Sequence, residues 1–178
     1  WDYGYWITII ANKTTLADNG TMNVTQIGNI GEMFLSNETE AIKILREYNA
    51  TYVVVFTTFR QDGSDMGWAE EGKWRWMARI RGLDDDSFGN LTLGTDWVDT
   101  NKNNQQDEGE LISNEKGRDT TLYKMMMYGR SKRVDITVEE PEYFKLVYYS
   151  PGPGIDTNGD GTPDVHALVA IYTYETVH

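Results

Sequence analysis

The spacing of apolar residues along the first third of the chain predicts two helices. Between residues 22 and 35 the apolar positions recur every three or four residues, which is the period of a helix with one buried face. Residues 37–48 open with Asn-Glu-Thr-Glu, a side-chain acceptor followed three residues later by Glu, as at many helix N-termini. The predicted buried positions are Ile27, Ile30, Met33 and Phe34 in the first helix, and Ala41, Ile44, Leu45 and Tyr48 in the second.

Three other segments have weaker helical patterns. Residues 2–10 are aromatic and apolar, and they predict a turn that leads into a short helix or strand. Ser64 or Asp65 is positioned to cap a helix that extends to Ile80, and Asp119 is predicted to begin a further helix.

Strands are predicted from runs of β-branched and aromatic residues. Residues 51–56, Thr-Tyr-Val-Val-Val-Phe, lack the alternation of a half-exposed strand, so they predict a strand buried on both faces. Residues 142–149 and 165–174 predict two more strands, and Pro-Gly-Pro-Gly at 151–154 prevents the first from continuing. Helices and strands in this order predict a mixed α/β (α+β) fold, with helices packed on a small sheet and a C-terminal β-hairpin.

The pattern also predicts how the chain is organised. No linker divides it, so residues 1–178 are expected to form one domain, of a size that supports a hydrophobic core. We expect the core in 1–83 and 117–150, a loop-rich acidic insertion in 84–116, and the hairpin with an acidic loop in 143–178.

Composition excludes several classes of function. The formal net charge is −12, which argues against nucleic acid as a partner because phosphates require a basic surface. The chain has no cysteine, so disulfides and thiolate chemistry are excluded. No apolar run is long enough to span a membrane, and a start at Trp1 rather than Met is typical of a piece of a longer protein. We therefore expect a soluble, monomeric piece.

The acidic segment 156–164 matches the spacing of a calcium-binding loop. Oxygen ligands fall at positions 1, 3, 5, 7 and 9, and a glycine stands at position 6, where the backbone turns sharply. The candidate ligands are Asp156, Asn158, Asp160, the Thr162 carbonyl and Asp164. The usual bidentate Glu at position 12 is missing, and a polar hairpin tip rich in turn-forming residues is the alternative interpretation.

A second calcium-like spacing begins at Asp99. It supplies a Glu at position 12, but Asn replaces the glycine at position 6. Its candidate ligands are Asp99, Asn101, Asn103, the Gln105 carbonyl, Asp107 and Glu110. In either loop Ca²⁺ would be structural, ordering a segment with too little apolar surface to fold unaided.

Six Asn-x-Ser/Thr sequons occur in the chain. This number predicts an extracytoplasmic, glycosylated surface, and a Thr-rich composition is the alternative explanation. The sequons begin at Asn12, Asn19, Asn23, Asn37, Asn49 and Asn90.

The opening residues Trp1-Asp2-Tyr3-Gly4, followed by Tyr-Trp-Ile, are the most specific motif in the chain. They resemble the Trp-Trp-Asp-Tyr-Gly signature of the catalytic subunit of oligosaccharyltransferases, in its archaeal form. The resemblance implies that the chain is the C-terminal globular domain that follows the family's multi-span membrane region. It also implies a second motif, Asp-x-x-Lys-x-x-x-Met/Ile. Asp119 and Met126 fit its ends, Leu122 replaces the Lys, and Lys124 is the candidate substitute.

This resemblance implies an activity. Such an enzyme transfers a lipid-linked oligosaccharide to the Asn of Asn-x-Ser/Thr at the extracytoplasmic face of the membrane. Its tryptophan and aspartate motif would recognise the hydroxyl at position +2. Trp1, Asp2, Tyr3, Gly4, Asp119, Lys124 and Met126 would then bind the acceptor polypeptide.

The chemistry of these residues agrees with that role. Asp2 can only accept a hydrogen bond and the Trp1 indole N–H can only donate one, while a hydroxyl does both. A site built for a hydroxyl rejects an acceptor without it by roughly 10⁴-fold or more. The family's Mn²⁺ or Mg²⁺ and its catalytic carboxylates would lie in the membrane region, so this piece alone is predicted to be inactive.

Two alternatives remain open from the sequence. The motif at residues 1–4 could be an aromatic turn that anchors a core. The acidic loops and sequons could instead belong to a calcium-stabilised extracellular binding or surface-layer module without catalysis.

Overall fold

A computed structural model describes residues 1–80, 82, 115–152 and 154–174. The predicted mixture of helices and strands is confirmed. The elements are α1 (Gly4–Ala11), α2 (Val24–Leu35), α3 (Glu38–Glu47), β1 (Val53–Arg60), α4 (Glu70–Ile80), α5 (Glu115–Arg118), α6 (Thr121–Arg130), β2 (Phe144–Tyr149) and β3 (Val165–Tyr174). No helix in these described ranges is long and apolar enough to cross a membrane.

The three strands form one antiparallel sheet in the order β1-β3-β2. β1 pairs with β3 from Val53 opposite Tyr172 to Arg60 opposite Val165. β2 and β3 are consecutive in sequence and adjacent in the sheet, with a shift in register between Leu146 and Tyr148. The predicted C-terminal hairpin is therefore confirmed.

The core lies where helices cover one face of the sheet. α6 packs on β1 and β3, and α2 packs on α3, α4 and α6. At Gly129 of α6, an added Cβ would lie 3.1 Å from the Leu168 side chain and 3.3 Å from that of Ala170, so glycine permits close approach of the helix to β3. The Tyr172 hydroxyl of β3 donates a 2.6 Å hydrogen bond to the Met125 carbonyl of α6, which also links these two elements.

Burial confirms the predicted face of α2 and, in α3, two of the four predicted positions, Ala41 and Leu45, while Ile44 and Tyr48 are half-buried. It corrects the prediction for β1. Val53, Val55 and Phe59 are buried, whereas Tyr52 and Val54 are exposed, so β1 is not buried on both faces. The reason is that, among the described residues, helices pack on the face of the sheet that carries residues 53, 55, 57 and 59. An uninterrupted β-branched run therefore reflects strand propensity here, and not two-sided burial.

Caps account for where the helices begin. Asn37 begins α3 as predicted, because its Oδ1 accepts the Glu40 N–H at 3.0 Å. The helix predicted from Ser64 or Asp65 begins only at Glu70, and the helix predicted from Asp119 is capped by Thr120, whose Oγ1 accepts the Tyr123 N–H at 3.2 Å. Asp65 does not cap a helix, because its carboxylate pairs with a buried arginine of α6.

Candidate functional site

The N-terminal segment, residues 1–4, lies against the loop that follows α1. Gly4 is buried, and a Cβ added to it would lie 1.9 Å from the Ala17 carbonyl oxygen. Any side chain at position 4 would therefore collide with the backbone of that loop. Glycine here has a structural reason, which is compatible with the role suggested by the motif and does not require it.

Asp2 and Tyr3 meet α4 through one lysine. The Lys73 Nζ lies 2.6 Å from Asp2 Oδ2 and 3.4 Å from the Tyr3 hydroxyl, and 5.3 Å from the centre of the Tyr3 ring. The hydrogen bond to Asp2 raises the pKa of Lys73, so the amine is charged at neutral pH. The Tyr3 ring contacts Phe56 of β1 edge-to-face, with 5.5 Å between centroids. The segment is thus anchored to both α4 and β1.

This ion pair is accessible to a ligand. The side chains of Lys73 and Asp2 are 39% and 33% exposed. An ion pair with this much solvent contact contributes little to stability, typically about 0–1 kcal/mol. Its open position is what a binding site for a polar group requires. Beside it, the buried Trp1 indole N–H has no hydrogen-bond partner among the described residues.

Two glutamates in the first turn of α4 bind backbone amides on the edge of β1 that faces away from β3. The Phe56 N–H donates to Glu70 Oε2 at 2.8 Å, and the Thr58 N–H donates to Glu71 Oε1 at 3.0 Å. These two amides point away from β3 and would otherwise be open to pairing with another chain. Burial raises the pKa of Glu70 to about 7. The contact fixes α4, and with it Lys73, relative to the sheet.

Arg130, a buried residue of α6, contacts the first turn of α4 and the loop that precedes it. Arg130 of α6 is 1% exposed, and its Nε and Nη2 donate to Thr57 Oγ1 at 3.0 and 2.7 Å. Its Nη1 donates to the Gly63 carbonyl at 2.9 Å and pairs with Asp65, while Nη2 lies 3.9 Å from Glu71 Oε2. Burial raises the pKa of Asp65 despite this pairing. The Arg130 cluster, defined as Arg130, Asp65 and Glu71, therefore joins α6, the 61–69 loop and α4.

The residues predicted for the second motif lie in other surroundings. Lys124 Nζ is 2.9 Å from Asp119 Oδ1 and 3.2 Å from Glu38 Oε1, so within the described part of the chain it pairs with these two carboxylates. Met126 is 1% exposed within the core, where it cannot reach the methyl group of an external ligand. Lys124 therefore links α6 to Glu38 of α3, and acceptor binding by Asp119, Lys124 and Met126 stays a prediction.

Lys73 is not among the residues predicted from the sequence, although the sequence contains a pattern that would have indicated it. The spacing of the second motif is also met in α4 by Glu70, Lys73 and Met77, with Glu in place of Asp and the lysine at its expected position. Met77 is itself buried, so the two charged residues are the ones within reach of the N-terminal segment.

The acidic loop 156–164 uses its carboxylates to bind its own backbone. Asp156 accepts N–H groups of Asn158, Gly159 and Gly161 at 2.6 to 3.2 Å, and Asp160 accepts the Thr162 N–H at 2.7 Å. Asp164 similarly accepts the N–H and hydroxyl of Thr157. The bonds to backbone amides, first of all from Gly161, lower the pKa of Asp156.

The structure tests only the 156–164 loop of the two predicted calcium sites. Within the described part of the chain, no group of three or more His, Asp or Glu side chains is close enough to hold a metal ion. Calcium binding by Asp156, Asn158, Asp160, Thr162 and Asp164 stays a prediction. The other loop, with Asp99, Asn101, Asn103, Gln105, Asp107 and Glu110, lies outside the described residues.

Comparison with known proteins relates the chain to one enzyme. No protein-family model matches it. The stt3 subunit of dolichyl-diphosphooligosaccharide–protein glycosyltransferase from Schizosaccharomyces pombe is 29% identical over 97% of this chain and 22% of that protein. The stt-3 subunit from Caenorhabditis elegans is 39% identical over 45% of this chain and 10% of that protein. The STT3B subunit from Oryza sativa subsp. japonica is 38% identical over 46% of this chain and 11% of that protein.

A solved structure is also similar. The C-terminal globular domain of oligosaccharyltransferase from Archaeoglobus fulgidus aligns with 98% of this chain and 81% of that chain, at 19% identity and a TM-score of 0.49. In sequence the chain is similar to oligosaccharyltransferase subunits, and it spans about a fifth of the length of the fission-yeast relative that it matches almost end to end.

Proposed function

We propose that this chain is the part of an oligosaccharyltransferase that recognises the acceptor polypeptide, at the hydroxyl of Asn-x-Ser/Thr. The observation that carries the proposal is the ion pair between Asp2 and Lys73, which brings together the N-terminal motif and α4. Asp2 would accept the hydrogen of the acceptor hydroxyl, and the Trp1 indole N–H would donate to its oxygen. Asp2 fits this role because its side chain is partly exposed. The Trp1 indole N–H is unpartnered among the described residues but buried, so the N-terminal segment would have to open for it to donate to the acceptor.

Lys73 takes the position that we first expected for Lys124. Its amine binds Asp2 Oδ2, and no described residue donates a hydrogen bond to Asp2 Oδ1, so Lys73 acts as a positioning residue for Asp2. Glu70 and Glu71 bind the first turn of α4 to β1, and Arg130 Nη2 lies 3.9 Å from Glu71 Oε2 in that turn. Lys73 therefore lies on a helix that is fixed to the sheet, as precise orientation of Asp2 requires.

The rest of the reaction belongs to parts of the enzyme outside this chain. We propose a lipid-linked oligosaccharide as donor, Mn²⁺ or Mg²⁺ and catalytic carboxylates in the membrane region, and the extracytoplasmic face as location. The named relatives are glycosyltransferase subunits, which favours this function over a surface-layer module.

The test uses a complete oligosaccharyltransferase that contains this chain, assayed with peptides carrying Thr or Val two residues after the Asn. We expect Asp2→Ala to lower kcat/KM for the Thr peptide by about 10²-fold or more and to reduce the Thr-over-Val preference, because the hydroxyl loses its acceptor. An unchanged preference in an active Asp2→Ala enzyme would contradict the proposal.

Two lysine variants test the placement of the second motif. We expect Lys73→Met to raise KM for the Thr peptide, because Asp2 is no longer oriented, while the matched control Lys124→Met leaves KM near that of the parent enzyme. A raised KM in Lys124→Met together with an unchanged KM in Lys73→Met would instead assign the positioning role to Lys124. Circular dichroism of both variants checks that the fold is retained.

A further inference from the structure

The exposed side of α4 carries a tryptophan and an arginine that contact each other. The helix directs Glu71, Trp74 and Met77 into the protein, where they are buried. On its other side Trp76 is 51% exposed, and Arg79 is exposed as well. The Arg79 guanidinium lies 5.4 Å from the centre of the Trp76 ring, within the range of a cation–π contact. This contact restrains the indole while about half of the residue stays open to solvent.

This side of α4 is continuous with the site at Asp2. Trp76 follows Lys73 by three residues, and side chains three apart on a helix are neighbours, with about 5–6 Å between their Cβ atoms. Lys73 in turn contacts Asp2 and the Tyr3 ring. Tyr3, Lys73, Trp76 and Arg79 therefore form one surface, which we call the α4 strip. It begins at the carboxylate that is proposed to bind the acceptor hydroxyl.

Exposure alone does not distinguish Trp76 from other tryptophans. Among the described residues, Trp6 and Trp68 are 56% and 57% exposed, and single exposed apolar side chains are common on protein surfaces. Trp76 differs in its place beside the lysine that binds Asp2 and in its contact with Arg79. A side chain that is already restrained loses less conformational freedom when a ligand packs on it. Trp76 is therefore the tryptophan best placed to contact an acceptor polypeptide at that site.

We propose that Trp76 contacts the acceptor polypeptide at position +4, two residues after the hydroxyl, and favours an apolar or aromatic side chain there. The inference rests on the proposed function of Asp2. Residues i and i+2 of an extended peptide point to the same side, about 6.5 Å apart, which is close to the spacing of Lys73 and Trp76. In the opposite direction, the residue on that side is the acceptor asparagine, whose amide must reach the donor outside this chain. The C-terminal flank of the sequon is thus the part left for the α4 strip.

The chemistry of the α4 strip determines the size of the preference. The Trp76 ring supplies apolar area and a π face, and its N–H can only donate a hydrogen bond. An apolar or aromatic side chain at +4 would lose contact with water and gain contact with the ring. Because about half of Trp76 is exposed, the contact is that of a surface ring. We therefore expect a preference of about two- to tenfold in KM, the range of a single aromatic pair.

The experiment uses a complete oligosaccharyltransferase that contains this chain and three peptides with the same Asn-x-Thr sequon. One peptide carries Phe at +4, one carries Phe at +3, and one carries Ser at both positions. We expect the parent enzyme to have a KM for the +4 Phe peptide about two- to tenfold below that for the Ser peptide. Trp76→Ala should remove this difference, and Trp76→Phe should keep most of it, because phenylalanine retains a ring. Phe at +3 points to the other side of the peptide, so its KM relative to Ser should be the same in the parent enzyme and in Trp76→Ala.

Tyr52→Ala is the matched control, because it removes an aromatic ring that is 61% exposed, next to the first residue of β1 and outside the α4 strip. This variant should keep the KM ratio of the parent enzyme. A ratio near one in the parent enzyme, or a parental ratio that persists in Trp76→Ala, would overturn the proposal. The two proposals fail separately. An unchanged Thr-over-Val preference in Asp2→Ala contradicts the hydroxyl site, whereas an unchanged KM ratio in Trp76→Ala contradicts the contact at +4.

Discussion

The carboxylates of the Arg130 cluster and those of the 156–164 loop are stabilised in different ways. In the cluster, Asp65 and Glu71 are buried and share one guanidinium from a residue 59 or more positions away in sequence. In the loop, Asp156 and Asp160 are exposed and accept N–H groups from residues two to five positions ahead. The first arrangement joins three elements of the fold, and the second shapes one turn.

This difference determines what each region contributes. A buried charge that loses its partner is strongly destabilising, because nothing replaces the water it gave up. An exposed carboxylate that loses an amide partner returns to solvent with little change in free energy. We therefore expect substitutions in the Arg130 cluster to affect stability most, and the loop to respond mainly to added cations.

The largest effect is expected for Arg130→Met. Asp65 and Glu71 would remain buried without a cation, and we expect the free energy of unfolding to fall by about 3–5 kcal/mol. Urea unfolding of the 178-residue chain measures the change. Lys132→Met is the matched control, because it removes the same charge two residues away at an exposed position and should change stability by less than about 1 kcal/mol. Similar losses in the two variants would contradict the importance of burial.

The next largest effect is a pH dependence at Glu70. Its pKa rises from 4.5 to about 7 on folding, so the folded state favours the protonated form. The stabilisation is complete below pH 4.5 and is lost as the pH rises through 7, with an upper limit of about 3 kcal/mol. Glu70→Gln keeps an acceptor for the Phe56 N–H and does not ionise. We expect its melting temperature to match the parent at pH 4 and exceed it at pH 8, and a constant difference across this range would contradict the assignment.

Features that depend on residues close in sequence were predictable, and those that depend on distant residues were not. The N-cap at Asn37 and the bounds of β3 follow from local spacing and composition, and the structure confirms them. The contact between Asp2 and Lys73 spans 71 residues. The local sequence of α4 does not show that this helix lies beside the N-terminal segment. Two-sided burial of β1 was wrong because a strand's own residues do not reveal how many layers cover its sheet.

A smaller effect is expected from calcium at the 156–164 loop. If Asp156, Asp160 and Asp164 exchange their amide partners for Ca²⁺, a concentration of ten to a hundred times Kd should stabilise the fold by about 1.4–2.7 kcal/mol. Thermal melting with CaCl₂ measures this, with MgCl₂ as the control cation. Asp160→Asn should abolish the response of this loop. An equal calcium response in that variant would assign it to other residues.

The smallest effect is expected for Asp119→Ala, which breaks one of the two ion pairs of Lys124. The Asp119 side chain is 61% exposed, so we expect the free energy of unfolding to change by less than about 1 kcal/mol. Its matched control is Glu38→Ala, which removes the other partner of the same lysine. Glu38 is 4% exposed and also accepts the N–H groups of Glu142 and Tyr143 at 3.2 and 2.7 Å, so its loss should destabilise by about 1–3 kcal/mol. Both variants present Lys124 with one remaining carboxylate, and therefore any difference between them in urea unfolding arises from burial and from the two amides. Equal losses would mean that exposure does not determine the strength of these pairs, which would weaken the expectation for Arg130 as well.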